Sequence, residues 1–169
     1  MTTLNFDESH VSENNPVDTI EGLATANDWG VDRQGDDEIT LVVQGNYCDF
    51  QLRFFWRTEL STLQFACMFD MRIPEKKLIE IYHTIGLINE RMWIGHFDYW
   101  SDEGALMFRH ASLGDKGDLA MSEDHIATLI ETALGECERF YPVIQFVLWG
   151  GKNPNDAIDA AMLECVGSA

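Results

Sequence analysis

Residues 48–72, CDFQLRFFWRTELSTLQFACMFDMR, contain two runs in which apolar and polar side chains alternate. In the first run, Phe50 and Leu52 would lie on one face of a strand and Arg53 on the other, because successive strand side chains point to opposite faces. The second run repeats this alternation after the short connection at residues 58–61. The stretch therefore predicts two antiparallel strands with a common apolar face.

The flanking sequence adds three more strands to this pair. Residues 39–44 alternate in the same way and are followed by a turn at residues 45–46. A further hairpin is predicted from residue 93 to about 100 and from residue 105 to about 110, with residues 101–104 as its turn. The sheet is therefore expected to be antiparallel and to contain about five strands.

Four segments have apolar residues at spacings of three and four, which is typical of helices. They run from residue 15 to about 30, from 74 to 92, from 122 to 150 and from 153 to 165. Asn15 and Ser122 are suitable N-caps for the first and third helices. Pro142 is expected to kink or divide the third helix, because its ring removes one amide donor and crowds the preceding turn.

The element order is therefore α-β-β-β-α-β-β-α with a short additional C-terminal helix. This order predicts a single α+β domain over residues 15–169, in which helices cover one face of the antiparallel sheet. Residues 1–14 are polar and acidic and lack a sustained hydrophobic period. They are predicted to form a flexible acidic tail.

The charge of the chain limits the classes of partner. Among 169 residues, 29 acidic and 11 basic side chains give a formal net charge of −18. Such a charge repels nucleic acid phosphates and anionic membrane surfaces, so neither is expected as a partner. Residues 39–112 contain seven of the eleven basic residues beside nine acidic ones, so this segment is nearly neutral and any electropositive patch must lie there.

The N-terminal residues lack the basic start and apolar stretch of a secretory signal, and no run of about 18 apolar residues would span a membrane. Cys48, Cys67, Cys137 and Cys165 lie far apart and form no CxxC motif. They are interpreted as reduced and mostly buried, without a metal or redox role. A cytoplasmic location is expected.

Candidate catalytic and metal sites are few. Cys67 and His83 could form a nucleophile and base, but Cys67 belongs to an apolar strand face, where a thiolate is costly. His96 and Asp98 could begin a metal site, but their expected neighbour Arg109 opposes a cation, so a salt-bridged surface is favoured. The sequence contains no GxGxxG, GxxxxGK[ST] or HExxH motif. We expect no catalytic residue, metal or cofactor, and retain an unrecognised hydrolase as the least favoured alternative.

Strand alternation also predicts which residues lie on the sheet face away from the helices. Trp56 and Trp93 are expected in the core, whereas Trp100 and Trp149 are expected to be partly exposed and suited to an interface. Seven basic or aromatic residues fall on the face away from the helices: Arg53, Phe55, Arg57, Arg72, His96, Trp100 and Arg109. Six of them are predicted to bind a partner: Arg53, Phe55, Arg57, His96, Trp100 and Arg109.

Two longer motifs carry a resemblance to a known family. Residues 88–110, INERMWIGHFDYWSDEGALMFRH, and residues 139–167, RFYPVIQFVLWGGKNPNDAIDAAMLECVG, resemble the YbjN family of bacterial sensory transduction regulators. The resemblance covers nearly the whole chain after the acidic tail and implies a fold similar to that of type III secretion chaperones. Those chaperones are small, acidic, usually dimeric proteins that bind unfolded segments of a client, and the resemblance offers no catalytic residues.

These observations favour a non-enzymatic, chaperone-like regulatory protein. It is expected to form a homodimer and to bind a segment of a protein partner through its sheet and helix surfaces. The alternative is a small-molecule sensor with a pocket between the sheet and the helices.

Overall fold

The computed structural model describes residues 15–114 and 121–166, with side chains described as far as residue 161. The predicted tail at residues 1–14 and the side chain of Cys165 lie outside the described part. The elements are α1 (Pro16–Ala26), β1 (Gly30–Arg33), β2 (Glu38–Gln44), β3 (Asp49–Arg57), β4 (Thr62–Arg72), α2 (Leu78–Asn89), β5 (His96–Trp100), β6 (Ala105–Leu113), α3 (Glu123–Leu148) and α4 (Pro154–Val166).

Within the described residues, all six strands pair antiparallel in one sheet of order β1-β2-β3-β4-β6-β5. The predicted α+β architecture is confirmed, and the sheet has six strands where the sequence predicted about five. The additional strand β1 begins at Gly30, where the first helix was expected to end, and lies in a stretch to which the sequence assigned no element. That helix ends at Ala26, because Asp28 adopts a left-handed φ of 55° and redirects the chain.

The hydrophobic core lies between the sheet and the helices. Its strand side includes Phe50, Leu52 and Phe54 of β3, which are fully buried as their alternation predicts. All the helices whose side chains are described contribute to the same cluster, among them α1 through Ile20 and α3 through Phe140. Helix α4 packs against α2 and α3.

Two predicted details need correction. Pro142 was expected to kink or divide the third helix, and it does not divide α3, which is one continuous helix of 26 residues in which the buried Tyr141 and Val143 anchor both sides of the proline in the core. Trp93 was expected in the core but is 99% exposed, whereas Trp56 is buried as expected. The reason is that α2 ends at Asn89 and β5 begins only at residue 96, so Trp93 belongs to the connection and not to the strand alternation.

None of the helices in the described part of the chain has a stretch long and apolar enough to cross a bilayer.

Cys67 and Cys137 are buried and Cys48 is partly buried, and all three are free thiols. Burial raises the pKa of the Cys137 thiol well above its usual value. Its thiolate is therefore disfavoured inside the core.

Candidate functional site

The sheet face that points away from the helices, here called the open face, is organised in rows across the strands. Thr40 of β2 is paired with Arg53 of β3, which is paired with Ala66 of β4. Ala66 is paired with Arg109 of β6, which is paired with His96 of β5. Directly paired residues project on the same face of a sheet. One row therefore brings two arginines and a histidine together from three strands.

The remaining predicted residues lie on the same face. Phe55 is paired with Gln64, and Arg57 follows Phe55 by two positions in β3. Trp100 is two residues beyond Asp98 in β5, on the side of the strand that carries His96. Strand alternation thus placed all six predicted partner-binding residues on one face. Their role in binding stays a prediction.

Five of those six residues line one concave region of about 800 Å³. This region, here called the open-face groove, has Phe55 and Arg57 of β3 on one side and His96 and Trp100 of β5 on the other, with Arg109 between them. Arg53 is not part of the lining. It lies directly beside it, since its pairing partner Ala66 contributes to the groove.

One arginine of the groove is engaged in a salt bridge within the sheet. Arg109 Nη1 lies 2.8 Å from Asp98 Oδ2, and both side chains are about half exposed. This is the ion pair that the sequence favoured over a metal site at His96 and Asp98. Because this ion pair is solvated, it is weak, and Arg109 can exchange Asp98 for the carboxylate of a partner.

A second contact was not foreseen from the sequence. Arg53 Nη1 lies 3.8 Å from Glu103 Oε1, and Glu103 belongs to the turn between β5 and β6. The turn therefore leans over the open face toward β3. Beneath it, Met68 and Met107 are only 9% and 2% exposed, although both point to the open face. A register shift in the β4–β6 ladder after Met68 accompanies this bend.

Arg57 differs from Arg53 and Arg109, because it has no ion-pair partner among the described residues, and it is exposed. Trp100 is 46% exposed and Phe55 is partly exposed, so both retain apolar area for a partner. The groove thus combines an uncompensated cation with aromatic surface. These are properties of protein interfaces.

One titratable residue among those that line the groove was missed by sequence reasoning. His110 is half-buried with its ring against the edge of Phe65, at a centroid distance of 6.0 Å. Burial lowers the pKa of His110, and the neighbouring His125 and His96 lower it further. The signal was present in β6, since the alternation that buries Leu106 and Phe108 also turns His110 toward the core.

Comparisons with known proteins agree with this fold. The sequence profile of the YbjN family, described as "Putative bacterial sensory transduction regulator", matches residues 16–146. The chain is also similar to the crystal structure of YbjN from E. coli, described there as "a putative transcription regulator". The TM-score is 0.52 and the identity 11%, with 72% of this chain and 85% of that chain covered, so the likeness concerns the fold. No curated protein matches the sequence significantly.

Proposed function

Because the chain belongs to the YbjN family of bacterial regulators, we propose that it is a non-enzymatic, chaperone-like regulatory protein whose open-face groove binds a segment of a protein partner. The observation that carries this proposal is the convergence of Phe55, Arg57, His96, Trp100 and Arg109 in one groove of about 800 Å³. Concave surfaces with aromatic and arginine side chains are typical of binding hot spots.

Charge indicates the chemistry of the partner segment. The chain carries a formal net charge of −18, so most of its surface repels acidic polypeptides. The open face is the exception, because Arg57 has no ion-pair partner among the described residues, and the ion pairs of Arg53 and Arg109 are solvent-accessible. An acidic or amphipathic segment would be attracted to this face and could lay apolar side chains on Phe55 and Trp100.

The proposal includes a homodimer in the cytoplasm. Support for self-association comes from apolar side chains exposed along α2 and the connection after it: Ile79, Tyr82, Trp93 and Ile94. Free Cys48, Cys67 and Cys137 fit a reducing compartment. Sedimentation at micromolar concentration should give twice the chain mass.

The volume of the groove also keeps a small-molecule sensor as the second candidate, since ligand pockets commonly enclose about 300–1,000 Å³. The sequence placed such a pocket between the sheet and the helices. At that interface, however, Phe54, Phe108 and Phe140 are fully buried in the core. In the second candidate function, the ligand therefore binds in the open-face groove and not between the sheet and the helices.

Native mass spectrometry of the protein isolated from its own host separates the two candidates. A polypeptide adduct supports the regulatory proposal, and an adduct of a few hundred daltons, as expected for a ligand that fills this groove, supports the sensor. To assign the adduct to the groove, the same isolation is repeated with Ala66→Trp, which fills the groove floor between Arg53 and Arg109. Glu131→Trp, on the exposed side of α3, is the matched control. Loss of the adduct in both variants or in neither would contradict a groove site.

A further inference from the structure

The two edges of the sheet differ in how their main-chain groups are satisfied. At the β5 edge, Phe97 N–H donates to Asn89 Oδ1 at 2.8 Å, and Asn89 Nδ2 donates to the Phe97 carbonyl at 3.0 Å. Tyr99 N–H donates to Asp98 Oδ1 at 2.9 Å. Side chains therefore take the place of a neighbouring strand, which is one way in which proteins close an edge.

The β1 edge is open. Gln34 N–H donates to the Glu38 carbonyl at 3.0 Å, which identifies this pair as a hydrogen-bonded one in the β1–β2 ladder. Hydrogen-bonded and non-bonded pairs alternate along an antiparallel ladder. Val31 and Arg33 therefore direct their N–H and C=O groups away from β2, and these groups have no hydrogen-bond partner among the described residues.

A concave region of about 420 Å³ lies on the open face at the N-terminal end of β1. It is lined by Asn27, Asp28, Trp29, Val42, Gln44 and Asp49. Gly30 stands between this cavity and the free edge, and a Cβ at Gly30 would come within 3.2 Å of Val42 Cβ. Since Gly30 has no side chain, β1 places nothing between the edge and the cavity, and a long side chain on a strand added at the edge could enter it.

The charge around this edge selects the occupant. Asp28, Asp32 and Asp49 are exposed beside the edge and cavity and form no ion pair among the described residues. The nearby cation, Arg33, is bonded to Asp18 at 2.7 Å and Glu21 at 2.6 Å. A second copy of the chain would bring another acidic edge and be repelled, whereas a basic segment is attracted.

We propose that the β1 edge binds an extended basic segment of a protein partner as a seventh strand, with one Lys or Arg side chain in the cavity beside Trp29. The partner residue opposite Val31 exchanges main-chain hydrogen bonds with it, and its side chain lies on the helix side beside the half-exposed Val31. The residues on either side of it project to the open face, opposite Gly30 and Asp32. The recognised pattern is basic–apolar–basic, and this site is independent of the open-face groove.

The test uses a capped synthetic peptide with Lys-Val-Lys at its centre, added to the full-length protein at low salt. Fluorescence anisotropy should show saturable binding, and hydrogen exchange should show new protection of the Val31 and Arg33 amides. A peptide methylated on the amide nitrogen of its central valine keeps the same charge but loses one main-chain donor. It should bind up to about tenfold more weakly, since the loss of one hydrogen bond corresponds to at most this factor.

Two double variants assign the charge contribution. Asp28→Asn with Asp49→Asn should weaken binding of the peptide, and Asp28→Asn preserves a residue type that tolerates the left-handed φ of 55°. Glu131→Gln with Asp159→Asn, on exposed sides of α3 and α4, changes the net charge equally and should leave binding unchanged.

Several results would overturn the proposal. They are equal affinity of the methylated peptide, unprotected Val31 and Arg33 amides in the complex, equal loss in both double variants, or no binding at millimolar peptide. Protection of these amides that rises with protein concentration without any peptide would instead identify a second copy of the chain as the occupant.

Discussion

Glu103 in the β5–β6 turn contacts Arg53 of β3, with Oε1 and Nη1 3.8 Å apart, although β4 and β6 lie between β3 and β5 in the sheet. The contact holds an acidic turn above a basic face. An acidic partner segment that approaches Arg53 would compete with Glu103 for the same guanidinium group. The turn therefore limits how strongly the open face attracts such a segment.

Removing the charge of Glu103 should strengthen partner binding. Glu103→Gln frees Arg53, and we expect faster association with an acidic segment and little change in stability, because an exposed ion pair contributes only about 0–1 kcal/mol. Stopped-flow binding and thermal unfolding measure the two effects. Asp102→Asn changes the same net charge on the same turn without touching an ion pair among the described residues. Equal acceleration by both variants would mean that Glu103 has no specific effect on Arg53.

Reversing the charge of the open face should weaken binding while the fold persists. Arg53→Glu with Arg57→Glu places two carboxylates where a partner carboxylate is expected, so association with the native partner should slow, and added salt should partly restore the rate because it screens this repulsion. Circular dichroism checks the fold and surface plasmon resonance the rates. Lys76→Glu with Arg91→Glu makes the same charge change at exposed positions before and after α2. Unchanged capture by the open-face variant would move the binding surface elsewhere, with α2 the first candidate.

Asn89 should stabilise the β5 edge. Asn89→Ala removes both hydrogen bonds to Phe97, and leaving its main-chain groups unsatisfied should cost about 1–3 kcal/mol. For a domain of this size, each kcal/mol lowers the midpoint of thermal unfolding by about 2–4 °C. Differential scanning calorimetry of this variant and of Glu90→Ala, the exposed neighbouring position, makes the comparison. If the two midpoints are equal, water satisfies the main-chain groups of Phe97 as effectively as the Asn89 side chain does.

The lowered pKa of His110 predicts a loss of stability in mild acid. Below its ordinary pKa of 6.5 the unfolded chain binds a proton at this residue, whereas burial and the neighbouring His125 and His96 oppose protonation in the folded state. The contribution of neutral His110 to the stability of the fold is therefore fully present above pH 6.5 and is lost as the pH falls through the pKa of His110 in the folded state. Urea unfolding from pH 7.5 to 5.5 should show a shallower decline for His110→Gln than for the original chain. Parallel curves would contradict this assignment.

Most of the fold could be predicted from the sequence, because a long alternation of apolar and polar residues fits only a strand with one buried face. The run from Phe50 to Trp56 alternates over a full strand, so it located both the core face and the face that carries Arg53 and Arg57. Strand β1 was missed since its four residues include one apolar side chain, Val31, and offer no period to detect. Trp93 was misplaced because one apolar residue does not reveal where α2 ends.

The features of the open face that were not predicted depend on contacts between distant segments. The pairing of Arg53 with Glu103 and the burial of Met68 and Met107 arise when the β5–β6 turn leans over the sheet. Alternation assigns a residue to a face, but it does not show what covers that face. For the same reason, the closure of the β5 edge by Asn89 could not be read from a residue that simply ends an amphipathic helix.

Site-specific photo-crosslinking in the native host tests the central claim most directly, namely that a polypeptide segment occupies the open-face groove. A photoreactive phenylalanine analogue replaces Gln64, which is exposed and lines the groove, and the same analogue at Asp159 on α4 is the control. We predict a discrete crosslinked polypeptide from position 64 that is absent from position 159 and reduced by Arg53→Glu with Arg57→Glu. The claim would be contradicted by no polypeptide crosslink at position 64, or by the same products from both positions.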